Sequence, residues 1–110
     1  FLAIKGLERM MHTLSMVFKS RSNAPHYIIV PTLFDKRTRA AQEGLQVLRE
    51  QYPDFLWNSM IPIDTKIRDA SKQGIPPSLY MPEAKAVEAY SALLDQLLLH
   101  DNPSAKTVAV

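Results

Sequence analysis

The stretch IIVPTLFDKRTRAAQ, Ile28 to Gln42, decides how the rest of the chain is read. An apolar, β-rich run from Tyr27 to Thr32 has the composition of a strand covered on both faces. Pro31 has no backbone donor, so it marks where that strand stops pairing normally. One carboxylate and three bases then follow in quick succession: Asp35, Lys36, Arg37 and Arg39. Thr38 is an N-cap residue for the next helix. Ala41, Leu45, Leu48 and Tyr52 recur at helical spacing and form one buried stripe, which Pro53 ends. The charge therefore sits in the loop between a buried strand and the helix after it, at the carboxyl edge where α/β sheets hold ligands.

Working outward, Leu7, Met10, Met11, Leu14, Val17 and Phe18 predict an amphipathic helix from Leu2 to about Lys19. Ser20 to His26 reads as a loop. Downstream, Phe55 to Ile61 predicts a second strand, broken by Pro62. Asp64 caps a short helix running to Gln73, and Gly74 stands where helices end in a left-handed residue. Ile75-Pro76-Pro77 is expected to be extended, and Leu79 to Met81 to be a brief strand or a loop. Pro82 and Glu83 suit the first turn of a final helix whose apolar face is Val87, Tyr90, Leu94, Leu97 and Leu98. Alternation of helices and strands predicts parallel β-α units and an α/β domain over residues 1–101, with a flexible tail at 102–110. So few buried strands make only a partial parallel sheet flanked by helices, a piece of something larger.

Composition excludes several classes. The 110 residues, 46% hydrophobic, suit one globular domain. There is no cysteine, so neither a disulfide framework nor a thiolate metal site is possible. No apolar run is long enough for a membrane helix, and a soluble, intracellular protein is expected. Net charge is only +2, but it is unevenly spread. Bases dominate from Lys19 to Arg39 and acids from Glu83 to Asp101.

Three isolated glycines, Gly6, Gly44 and Gly74, cannot build a phosphate-cradling loop. His12, His26 and His100 are scattered and expected to be structural or solvated. Asp35 could act as a base or metal ligand, though a cap or a partner for Arg37 suits its position better. No nucleophile–base pair emerges. Two stretches remain: Thr32 to Arg39, and Ile61 to Arg68. Each follows a predicted strand, so both are expected at one sheet edge. There they would bring Lys36, Arg37, Arg39, Lys66, Arg68 and Lys72 to one rim, the arrangement of a phosphate-backbone contact surface. The same charges also suit an ordinary solvated loop edge.

These stretches resemble the ParA/MinD family of partition ATPases. The resemblance covers Leu2 to Leu98 through Leu2-Ala3-Ile4-Lys5-Gly6-Leu7, Thr32-Leu33-Phe34-Asp35-Lys36-Arg37-Thr38 and Ile61-Pro62. Asp69-Ala70, Gly74-Ile75-Pro76, Tyr80-Met81-Pro82 and Ala89-Tyr90 complete the ordered set. It implies the carboxyl-terminal half of a P-loop NTPase with a Rossmann-like three-layer fold. The deviant Walker A loop and the magnesium-associated strand of such proteins are not in this chain, so no catalytic residue is assigned and the chain alone is expected to be inactive.

By position, the resemblance implies that Thr32, Pro62, Ile63 and Asp64 form the adenine side of an ATP/ADP site, with magnesium in the complete protein. Ile63 and Asp64 depart from the commoner pattern, where a basic residue and an asparagine are frequent. Arg37 and Lys66 match positions associated with non-specific DNA binding. The implied protein is a homodimeric, cytoplasmic, nucleoid-associated switch in plasmid or chromosome segregation, with ATP favouring DNA binding and a centromere-binding ParB-type partner stimulating release. A free-standing interaction or dimerisation module that binds no nucleotide is the competing expectation. A MinD-like positioning role is disfavoured, because after Lys85 the only base is Lys106.

Overall fold

A computed structural model describes residues 2–20, 27–99 and 106–109. In chain order the elements are α1 (Leu2–Lys19), β1 (Tyr27–Val30), α2 (Arg39–Gln51), α3 (Thr65–Gln73), α4 (Pro77–Tyr80), α5 (Lys85–Leu99) and β2 (Lys106–Ala109).

β1 organises the molecule because consecutive strand residues point to opposite faces. Ile29 packs with Leu7 of α1 and Leu48 of α2. Val30 packs on the other side with Trp57, Ile61, and Ala86 and Leu93 of α5. Helices therefore cover both faces, as expected of a buried strand. The Trp57 indole N–H is satisfied within this second layer by Gln96 Oε1 at 2.8 Å.

Helix boundaries follow local chemistry. Thr38 Oγ1 caps α2 by accepting from Ala41 N at 3.2 Å. Asp64 caps α3, and Gly74 ends it in the left-handed region at φ 67°. Gly74 N–H then closes onto the carbonyls of Ala70 and Ser71, which the helix cannot satisfy internally.

Several expectations change. Phe55 to Ile61 is not a strand. It touches its neighbour through two single parallel bridges, Ile29 opposite Leu56 and Phe34 opposite Pro62, and the register slips between them. Three features break the ladder: Pro31 has no N–H to donate, Leu33 takes a positive φ of 52°, and the chain bends at Asn58-Ser59. Leu79 to Met81 is no strand, because Pro77 opens a helical turn whose first position needs no donor. Pro76, before that proline, stays extended at ψ 136°, while Pro77 is helical.

α5 starts at Lys85, not Pro82, after a turn closed by Ala84 N to Met81 O at 3.1 Å. Its buried stripe is also displaced. Ala86, Ala89, Leu93 and Leu97 face the core, while Tyr90, Leu94 and Leu98 stand exposed.

The tail expected over 102–110 contains β2, which pairs in parallel with β1 from Tyr27–Lys106 to Val30–Ala109. Residues 101–105 and 110 lie outside the described residues, as do 21–26 of the first predicted loop. Among the described residues the sheet is two-stranded, narrower than the partial sheet of a three-layer fold. No described helix is long and apolar enough to cross a membrane.

Candidate functional site

Both candidate stretches start from one isolated parallel bridge beyond the end of β1. Phe34 N donates to Ile61 O at 3.0 Å, and Ile63 N donates to Phe34 O at 2.9 Å. Beyond this bridge one segment turns into Asp35–Thr38 and the other into Ile63–Asp64.

Asp35 folds the first turn around itself. Its Oδ1 accepts from Arg37 N at 3.1 Å and Arg37 Nε at 2.9 Å, and its Oδ2 accepts from Arg37 Nη2 at 2.9 Å. Asp35 O accepts from both the amide and the hydroxyl of Thr38, each at 3.0 Å. Gln42 Nε2 ties the loop to α2 by donating to Lys36 O at 3.1 Å. Hydrogen bonds from Arg37, and then its charge, hold the Asp35 carboxyl below the usual carboxylate range, and Asp35 raises Arg37 in return. The Arg37 side chain nevertheless stays 81% exposed. Its guanidinium is tethered, and the Asp35 carboxylate it grips offsets its charge.

Asp64 anchors the second loop. Its Oδ1 accepts from Lys66 N at 2.9 Å and its Oδ2 accepts from Ala86 N at 3.1 Å. These two backbone bonds, helped by the charges of Lys66 and Lys85, lower its pKa against partial desolvation.

Between the loops and α5 lies an open cleft of about 640 Å³. Phe34, Met60, Pro62, Ile63 and Ala89 supply its apolar surface, and Asp35, Lys36, Arg37, Lys85 and Glu88 its polar rim. Lys36, Arg37, Pro62 and Ile63 are thus brought together. Thr32 is not with them: it lines a separate hollow between α1 and α2, beside Leu33 and Gly44. Asp64 lines neither space and is occupied with two helix ends. Arg39 is ion-paired with Glu43 at 3.7 Å, an exposed pair worth little. Lys66 is half-buried and Arg68 and Lys72 exposed along α3, outside the cleft lining.

Sequence reasoning missed Lys85, Glu88 and Met60. Lys85 was legible only as the lone base in an acidic segment; it reaches the rim because α5 starts later than Pro82. Met60 carries no sequence signal. Of the histidines, His12 is exposed on α1, while His26 and His100 lie outside the described residues. Among the described residues no cluster of three or more His, Asp or Glu side chains could hold a metal ion.

No family model matches the chain. It is 29% identical over 99 residues to the cell division protein PomZ of Myxococcus xanthus, covering 89% of this chain and 31% of that protein. Identity to the chromosome-partitioning ATPase Soj of Treponema pallidum is 28% over 103 residues, covering 92% of this chain and 40% of Soj. For the chromosome partitioning protein ParA of Myxococcus xanthus it is 26% over 107 residues, 96% of this chain and 38% of ParA. The chain therefore spans between about a third and two-fifths of the length of these curated relatives. Similarity of the chain to these ParA/Soj-type partition proteins runs through nearly the whole of its own length.

Proposed function

We propose that this chain is the base-side and DNA-facing part of a ParA-type ATPase that segregates chromosomes or plasmids. What carries the reading is the similarity to partition proteins over 89% to 96% of the chain. The helix–strand–helix layering around β1 suits the P-loop NTPase fold this implies, with the chain as its carboxyl-terminal portion.

The residues present fit one side of a nucleotide. Pro62 and Ile63 offer flat apolar contact to a purine, with Asp64 behind them, while Thr32 lines a separate hollow. The chain has no glycine-rich loop to cradle phosphates, so ATP with magnesium would be held mainly by residues beyond it. Bound nucleotide supplies the switch, favouring a DNA-bound homodimer that a ParB-type partner releases. Such a protein works in the cytoplasm on the nucleoid.

Lys36, Arg37, Arg39, Lys66 and Arg68 form the proposed rim for the phosphate backbone. Arg37 is a poor single probe, because Arg37→Glu would set a second carboxylate against Asp35 and disturb the turn. Lys36→Gln and Lys66→Gln leave that turn intact. In the full-length protein each is expected to lower the slope of log affinity against log salt by about one, uniformly across DNA sequences. Slopes equal to wild type in both variants would reduce the rim to a solvated edge.

One observation favours a second reading as a protein-interaction module: Tyr90, Leu94, Leu98 and Leu99 are all at least half exposed, from 50% to 85%. That reading predicts no response of the protein to ATP in a thermal melt, where the first predicts stabilisation.

A further inference from the structure

We infer that Asp64 is a positioning residue, a joint between α3 and α5 that holds the two walls of the cleft together from behind, and not a group that reads the base. The inference rests on the nucleotide reading only for what the cleft binds.

Geometry separates these roles. Asp64 spends one carboxylate oxygen on Lys66 N at 2.9 Å and the other on Ala86 N at 3.1 Å. The two donors belong to the first turns of different helices, 22 residues apart in the case of Asp64 and Ala86. First-turn amides have no acceptor within their own helix, so both depend on this one side chain. Each bond also fixes a wall. The peptide leading into Asp64 carries Pro62 and Ile63, while the turn beginning at Lys85 carries Lys85, Glu88 and Ala89. Asp64 itself lies outside the cleft lining. Joining two donors at these positions needs two acceptor oxygens on a short stem. Asparagine would turn an N–H group toward one of the helix amides. Serine would still cap α3, because its hydroxyl can accept from the local amide, but it is too short to reach α5 as well.

Asp64→Ser in the full-length protein therefore isolates the joint. In amide hydrogen exchange, Lys66 should keep its protection while Ala86 loses protection by about tenfold. Unchanged exchange at Ala86 would overturn the inference. Binding of ATP and of purine riboside triphosphate, which lacks the 6-amino group, gives the second readout. A joint predicts that both nucleotides weaken by the same factor, about fivefold for the loss of one capping bond. A base-reading carboxylate would instead weaken ATP alone, and that result refutes the positioning role. If wild type binds neither nucleotide, the function proposed for the cleft falls, while exchange at Ala86 still decides the joint. Should Asp64→Ser fold poorly, Asp64→Asn serves in its place, with loss of protection at either Lys66 or Ala86 expected and retention at both contradicting the joint.

Discussion

Gly74 shows how little of a residue's role has to come from packing. Its φ of 67° lies in the left-handed region, and an added Cβ would meet no atom within 4 Å. The cost of a side chain there is purely conformational, so Gly74→Ala should destabilise the fold by about 1 kcal/mol, read from urea midpoints at unchanged slope. Gly44 is the opposite case. It sits inside α2, where glycine is the costlier choice, and an added Cβ would meet only Ile4 Cδ1 at 3.8 Å, an ordinary contact. Gly44→Ala is expected to stabilise by up to about 1 kcal/mol in the same measurement. Both positions are glycines in the sequence, but only Gly74 announces its purpose, through the capped helix that precedes it. Asp35 was legible as a partner for Arg37 because the two lie two positions apart in a loop. Its full set of bonds to Arg37 and Thr38 needed the folded turn.

Elements were readable where their signals were local. Thr38 and Asp64 begin α2 and α3 as expected, since a cap and its target amides lie within three residues of each other. The α5 boundary was not readable, because its cap comes from Asp64 across the fold. The helix's outer stripe was misassigned for a related reason. Tyr90, Leu94 and Leu98 have helical spacing as regular as that of Ala86, Ala89, Leu93 and Leu97, and hydrophobicity favours the larger residues. Val30, Trp57 and Ile61 pack with Ala86 and Leu93, so it is this stripe that goes inside. Phe55 to Ile61 had the composition of a strand, and its pairing failed because of its neighbour: the facing segment loses a donor at Pro31 and takes a positive φ at Leu33.

At the scale of the whole molecule, the lowered Asp35 and Asp64 carboxyls tie stability to pH. A depressed folded-state pKa contributes stability that is complete above the ordinary carboxylate range and is lost as pH falls through the lowered value. Lys66 from α3 and Lys85 from α5 are the charged groups acting on Asp64. The stability difference between wild type and Asp64→Ser should therefore be largest near neutral pH and shrink toward about pH 3 in urea titrations. A constant difference would mean that charge on Asp64 is irrelevant to the joint. By itself the sequence determined the buried strand, the helices on either side of it, their local caps and the cationic loop at Lys36 and Arg37, because each depends on residues a few positions apart. The tertiary structure alone decided that Pro62 and Ile63 share a cleft with Lys36 and Arg37, that Lys85 joins their rim, and that Thr32 does not. Those outcomes depend on a parallel bridge at Phe34 and a carboxylate serving two helices, which are contacts between segments that no local pattern encodes.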